Sequence, residues 1–309
     1  VMMWLYFLLM RATGRVGFEM EIIAFFLSTL SMAVTASSAP SSLPKQMIAL
    51  ILGLGLFLVL GLLLRDLKRV QKLRWLMAAG CIGLLAITLV LGTSQFGATN
   101  WIRLGPLSFQ PSEIAKFSLV ILYAHWMSIN PGSVRRIEGL IPYGCVLGVI
   151  ILLLIAEPHL SAMVIVVGMA LIMLILGGLN LRLLGAAVVG GVPLGLLAIF
   201  VMGKWDRLMG RLQVWWNPEA DARGDGWQTL QSLYSIGSGG LMGTGIGNSR
   251  QKYLFLPEPQ NDFIFAIVCE ELGFIGATLI LLLFALLIWR GFVIGVRARD
   301  RFGSFIALG

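Results

Sequence analysis

Residues 262–289 read DFIFAIVCEELGFIGATLILLLFALLIW, and the only charges among them are Asp262, Glu270 and Glu271. As one helix rising about 1.5 Å per residue, this run would be about 42 Å long, more than a hydrocarbon core of about 30 Å. Lipid suits such a segment better than water does. Asp262 then stands at the head of a spanning helix, at or above the headgroups.

The same signature recurs along the chain. Apolar runs at 21–36, 46–64, 74–92, 112–128, 138–156, 160–178 and 183–203 join the run at 263–290. Val1–Met10 reads as the end of an extra leading helix, with residues 1–20 a fragment and link ahead of a main domain at 21–309. Phe302–Gly309 reads as the start of a further span. Composition agrees: hydrophobic residues make up 58% and charged residues 12%, and mean hydropathy is +0.90. A soluble domain is about half apolar and a quarter charged. The fold class expected is all-α, a polytopic transmembrane helical bundle.

A net charge of +8 raises the question of nucleic acid. The basic residues answer it, because they cluster between apolar runs: Arg65, Lys68, Arg69, Lys72 and Arg74; Arg135 and Arg136; Arg182; Arg290, Arg297, Arg299 and Arg301. These connections alternate, so all can be cytoplasmic at once. No nucleic-acid partner is expected. Segments 93–111, 157–159 and 204–262 fall on the outer side. Cys81, Cys145 and Cys269 are dispersed in apolar stretches and read as small buried hydrophobes, with no disulfide or metal site.

The 204–262 segment is too long for a simple connection in a tight bundle. It holds Trp215, Trp216 and Trp227 and a glycine-rich run from Gly237 to Gly247. Aromatic residues argue against disorder, so a folded cap on the membrane surface is expected.

Several polar residues are candidates for chemistry. Asp262 either caps the following helix, a role Asp fills well, or acts on a substrate, partly buried beside Phe263 and Phe265. Glu270 and Glu271 interrupt an apolar run, where carboxylates are costly and need partners; alternatively Leu272–Trp289 alone spans and leaves them near the interface. Glu113 and Lys116 follow Gln110-Pro111-Ser112, with Ser112 read as the helix cap. They form either a self-neutralising i,i+3 pair or part of a site. Trp101 and Arg103 lie in an outer loop ahead of the turn Leu104-Gly105-Pro106. With Lys204, Arg207, Arg211, Arg250 and Lys252, Arg103 gives the outer face cations suited to a phosphate-bearing lipid headgroup, specific or ordinary. The run Gly243-Thr244-Gly245-Ile246-Gly247 is either an anion-binding nest of amides or a tight turn. His125 and His159 suggest no metal site. Walker, HExxH and GxSxG motifs are absent, which removes support for ATP hydrolysis, zinc chemistry and serine-type acyl transfer.

Taken in order, these stretches resemble the SEDS family (FtsW, RodA and SpoVE). The matching pieces are Asn100-Trp101-Ile102-Arg103-Leu104-Gly105, Gln110-Pro111-Ser112-Glu113-Ile114-Ala115-Lys116, Gln231-Ser232, Gly239-Gly240 and the glycine run. The last is Leu256-Pro257-Glu258-Pro259-Gln260-Asn261-Asp262-Phe263 with Glu270-Glu271-Leu272-Gly273. The Leu-Pro-Glu-Pro form is nearer the FtsW/SpoVE branch. The resemblance implies about ten spans with a large outer loop, of which this chain would lack the last one or two.

It also implies a multi-pass protein of the bacterial cytoplasmic membrane that polymerises lipid II, an undecaprenyl-pyrophosphate-linked disaccharide-pentapeptide, at the outer face. By the same resemblance Asp262 is the catalytic carboxylate of an inverting glycosyltransferase. Trp101, Arg103, Glu113, Lys116, Arg207, Gln231, Ser232, Gly243, Gly245, Arg250 and Lys252 would support substrate, and Glu157, His159, Glu270 and Glu271 would be structural or ion-pairing. A class B penicillin-binding protein and other divisome or elongasome proteins are the implied partners. A divalent cation such as Mg or Mn could assist the pyrophosphate leaving group, although the sequence holds no evident cage for one. One departure stands out: the family's Pro-Asp-Leu-Gly reads Pro158-His159-Leu160-Ser161 here, after Glu157. A lipid II flippase, or a non-enzymatic scaffold of a cell-wall complex, would fit the same outline.

Overall fold

The computed structural model describes residues 2–12, 14, 17–64, 67–95, 98–104, 107–157, 159–252, 256 and 261–309. Arg65, the turn residues Gly105 and Pro106, Pro158 and the 257–260 part of the Pro-Glu-Pro-Gln motif lie outside them. So do the side chains of Lys68, Arg69, Lys72, Arg74 and Arg103.

In chain order the elements are α1 (Met2–Ala12), α2 (Glu19–Ser38), α3 (Leu43–Leu64), α4 (Leu67–Leu91), β1 (Thr93–Gln95), β2 (Ala98–Leu104), β3 (Leu107–Phe109) and α5 (Pro111–Ile129). Then come α6 (Ile137–Ala156), α7 (Leu160–Leu176), α8 (Leu181–Val201), α9 (Trp205–Trp216), α10 (Trp227–Ser238), α11 (Ile264–Val296) and α12 (Arg301–Leu308). Each of the eight apolar runs is a helix, and α1 and α12 occupy the two end fragments. Among the described residues, α2, α3, α6, α8 and α11 are long and apolar enough to cross a membrane. Their large side chains face outward: Leu56 on α3 is 55% exposed and Val189 on α8 is 76% exposed. Water would penalise such surfaces and hydrocarbon does not. The chain is a multi-pass membrane protein.

All-α needs one amendment. Residues 93–109 fold as a three-stranded antiparallel sheet in the order β1-β2-β3, with Thr93 opposite Trp101 and Arg103 opposite Ser108. The strands are only three to seven residues long, too short for a period of two to stand out against the surrounding apolar sequence. The 204–262 segment carries α9 and α10, so it is folded, as its tryptophans suggest.

The chain divides into two compact units. The first comprises residues 1–59 and 210–293, the second 60–209 and 294–309. In the first, Val34 of α2 packs with Leu256 and with Ala266, Ile267, Val268 and Ile280 of α11. Tyr6 donates to Glu21 Oε1 at 3.3 Å, and Arg290 pairs with Glu19. In the second, Leu85, Leu119, Tyr123, Leu154, Val166, Met173 and Phe302 form one cluster. There Tyr123 donates its hydroxyl proton to the Tyr143 carbonyl at 2.7 Å, which satisfies a polar tip inside an apolar core.

Candidate functional site

Asp262 sits in the turn that leads into α11, and its side chain is exposed. It does not cap the helix. The turn is closed by backbone groups: Ala266 N donates to the Phe263 carbonyl at 2.9 Å and Ile264 N to the Asn261 carbonyl at 3.4 Å. Among the described residues nothing donates to the Asp262 carboxylate. The expected burial beside Phe263 and Phe265 is not found, so the carboxylate is solvated and open to a ligand.

The α11 run is not one helix. Gly273 takes φ +67° and ψ −171°, a conformation open to glycine and strained for any residue with a Cβ. The break leaves carbonyls of the first half and amides of the second without helical partners, and buried orphans of this kind are costly. The glycine run supplies those partners. Thr244 N donates to the Glu270 carbonyl at 2.9 Å and Gly245 N to the Glu271 carbonyl at 3.0 Å. In return Phe274 N donates to the Gly240 carbonyl at 2.9 Å. The approach is so close that a Cβ at Gly243 would strike the Glu271 carbonyl, and one at Gly239 the Cys269 carbonyl. This corrects the nest reading of Gly243 and Gly245. Gly243 N donates to the Gly239 carbonyl at 2.8 Å, and the Gly245 amide is bound to α11, so neither faces a substrate anion.

Glu270 is 1% exposed and lies in a fitted socket. Its Oε2 accepts from Ser249 Oγ at 2.6 Å and Ser235 Oγ at 3.0 Å, and its Oε1 accepts from Arg250 N at 2.7 Å. Glu271 Oε1 accepts from Ser37 Oγ at 2.6 Å and pairs with Lys252 Nζ at 3.4 Å. Lys252 Nζ also donates to the Gly247 carbonyl at 2.6 Å. Both expectations that these carboxylates need partners are met from the loop and from α2. Lys252 is therefore reassigned: its side chain is 5% exposed and belongs to a buried ion pair, not to a headgroup-facing surface. Gln231 and Ser232 are reassigned too. They lie on the buried side of α10, where Ser232 Oγ donates back to the Thr229 carbonyl at 2.7 Å. Arg250 keeps its side chain exposed. The serines that complete the socket, Ser37, Ser235 and Ser249, were not singled out from sequence. The one available signal was Ser235 following Gln231 and Ser232 at helical spacing on α10.

The other candidates lie in the second unit. Glu113 and Lys116 form the i,i+3 pair at 2.7 Å, with Lys116 the more buried partner. Gln110 immediately precedes α5, and its Nε2 lies 3.2 Å from His159 Nε2. The residue that departs from the family pattern is thus tied to the Gln110-Pro111-Ser112-Glu113 motif. Glu157 closes α6, is 0% exposed, and both its oxygens lack hydrogen-bond partners among the described residues. Burial pushes its carboxyl up to about 7. Trp101 is half-buried on β2 beside Arg103, and Arg207 is half-buried on α9. Among the described residues no three His, Cys, Asp or Glu side chains converge as a metal cage would require.

The FtsW/RodA/SpoVE family, described as cell cycle proteins, matches residues 3–309. The chain belongs to this family. Stage V sporulation protein E of Bacillus subtilis (strain 168) is 40% identical over 239 residues, covering 74% of this chain and 63% of the relative. A probable peptidoglycan glycosyltransferase FtsW of Trichlorobacter lovleyi is 36% identical over 242 residues, covering 76% and 62%. The chain thus spans less than two thirds of the length of these FtsW/RodA/SpoVE relatives. Among solved structures, a chain from a study titled "Structural coordination of polymerization and crosslinking by a peptidoglycan synthase complex" superposes with a TM-score of 0.75. It shares 26% identity, over 94% of this chain and 81% of that one. Thermus thermophilus rod shape determining protein RodA superposes with a TM-score of 0.62 at 24% identity, over 94% and 79%, and has the same fold.

Proposed function

We propose that this protein polymerises lipid II into glycan strands at the outer face of the cytoplasmic membrane. The observation that carries the reading is Asp262, an exposed, uncapped carboxylate at the head of a broken helix whose neighbouring loop is locked in place. The name of the FtsW relative, peptidoglycan glycosyltransferase, and the peptidoglycan synthase complex that holds the structural neighbour support the substrate class. In this reading Asp262 takes the proton from an acceptor sugar hydroxyl as that oxygen attacks the anomeric carbon of the donor. One displacement inverts the centre, and undecaprenyl pyrophosphate leaves with its charge met by basic side chains. Arg250 is an exposed cation of the same unit, as is Arg211. Trp101, Arg103, Glu113, Lys116 and Arg207, in the other unit, are substrate-supporting candidates for substitution in the same assay. A class B penicillin-binding protein would crosslink the product strands.

The test is polymerisation of labelled lipid II by purified protein, wild type beside Asp262→Asn and Asp262→Ala. Both variants should fold and make no polymer. Asn keeps the size of Asp and removes the basic carboxylate, so full activity in Asp262→Asn would sink the catalytic role. Transfer of labelled lipid II across liposomes without polymer would instead favour a flippase. The buried groups that a path would need, Glu270, Glu271 and Lys252, are already committed to one another and to the loop.

A further inference from the structure

The second unit has a basic cavity at the end remote from Glu157 and His159. Helix α5 separates the two ends: its 19 residues rise about 28 Å, close to the thickness of a hydrocarbon core. The cavity has a volume of about 410 Å3, and Arg135, Arg301, Asn130, Ser304, Met127 and Phe305 are among the residues that line it. No carboxylate lines it, and neither arginine has an ion-pair partner among the described residues. Asp300, next to Arg301 in sequence, uses Oδ2 to accept from Gly303 N at 2.7 Å and so caps α12.

Helix electrostatics accounts for one of the two cations. The Arg135 guanidinium lies alongside Gly178, past the C-terminus of α7, where a positive charge is favoured; a Cβ on Gly178 would come 3.4 Å from Arg135 Nε. Arg301 is the opposite case. It opens α12, and the N-terminus of a helix disfavours a cation. Both arginines are exposed and line one cavity, and an anion held between two like charges relieves their repulsion. The remaining lining suits such an anion. Asn130 and Ser304 offer neutral donors, while Met127 and Phe305 offer an apolar wall. Guanidinium forks match phosphate oxygens in geometry as well as charge.

We propose that Arg135 and Arg301 form a binding site for a phosphate-bearing anion at this end of the second unit, separate from the Asp262 region. The ligand is either the headgroup of an anionic phospholipid or free phosphate. The site does not depend on the chain being a polymerase.

The experiment uses the full chain purified in an uncharged detergent, with phosphatidylglycerol, phosphatidylcholine and inorganic phosphate as probes, read by native mass spectrometry and by titration calorimetry. Retention of phosphatidylglycerol over phosphatidylcholine, reduced roughly tenfold or more in Arg135→Gln/Arg301→Gln, assigns the lipid. Binding of inorganic phosphate with the same dependence on both arginines, and no preference between the lipids, assigns the free anion. If the double variant unfolds at a lower temperature than wild type, Ser304→Glu replaces it. That change keeps both arginines and supplies a counter-charge inside the cavity, so it should weaken binding to a similar degree. Equal retention of the two lipids, together with phosphate binding absent or unaltered by these variants, overturns the proposal.

Discussion

Glu157 is the residue most exposed to pH. Its carboxyl is buried at the α6–α7 turn, without partners among the described residues, and sits at about 7 when folded against about 4.3 in an unfolded chain. The folded state therefore holds the proton more tightly. The associated stability is fully present below about pH 4.3 and is lost as pH rises through about 7, because above that value a charge must be buried. Glu157→Gln keeps the shape and removes the charge. Its thermal midpoint in detergent should match wild type near pH 4 and exceed it at pH 8; equal midpoints at pH 8 would mean that the carboxylate finds a counter-charge. His159 belongs to the same turn. Its identity was legible as a departure from the family pattern, but its contact with Gln110, 49 positions away, was not, since nothing local in the sequence encodes it. The same holds for Ser37, whose hydroxyl meets Glu271 across 234 positions.

At the scale of elements, the break in α11 matters more than its length. Read as one helix, the run would be too long for a bilayer. Divided at Gly273, its second part up to Val296 is about 35 Å long, enough to cross with some tilt. The first part carries Glu270 and Glu271 and is stapled to the loop by backbone bonds from Thr244 and Gly245, while Phe274 and Ile275 at the start of the second part donate to the Gly240 and Leu241 carbonyls. Periodicity could not reveal this, because an apolar stretch with one glycine looks helical throughout. Gly273→Ala should therefore do far more than the usual glycine-to-alanine change, which stabilises a regular helix by about 1 kcal/mol. A Cβ there would meet the Gly243 amide and the Leu241 carbonyl while the backbone stays at positive φ. The expected result is a lower thermal midpoint and faster exchange of the Thr244 and Gly245 amides; a stabilised protein would show that α11 runs straight. The three short strands leave no mark in the sequence for the complementary reason, since too few residues alternate to be told from a turn.

At the scale of the whole molecule, the eight apolar helices were legible because lipid imposes a length and a polarity that no soluble core demands, and among the described residues five of them are long and apolar enough to cross a membrane. Sidedness rests on a weaker but independent signal. The connections α3–α4, α5–α6 and α7–α8, and the segment after α11, carry the clustered arginines and lysines, and they fall on alternate turns of the chain. Positive residues in short loops are retained on the cytoplasmic side, so the topology proposed here has the segment between α8 and α11, and with it Asp262, outside. The alternative orientation would need every one of these loops to violate the rule together. Labelling with a membrane-impermeant maleimide decides between them in a background where Cys81 and Cys269 are alanine and Cys145 is serine. Glu219→Cys, at an exposed position before α10, should react in intact cells. Arg136→Cys, exposed between α5 and α6, should react only after permeabilisation. The reverse pattern would place Asp262 in the cytoplasm and end the case for glycan polymerisation at the outer leaflet, whatever the chemistry of the carboxylate.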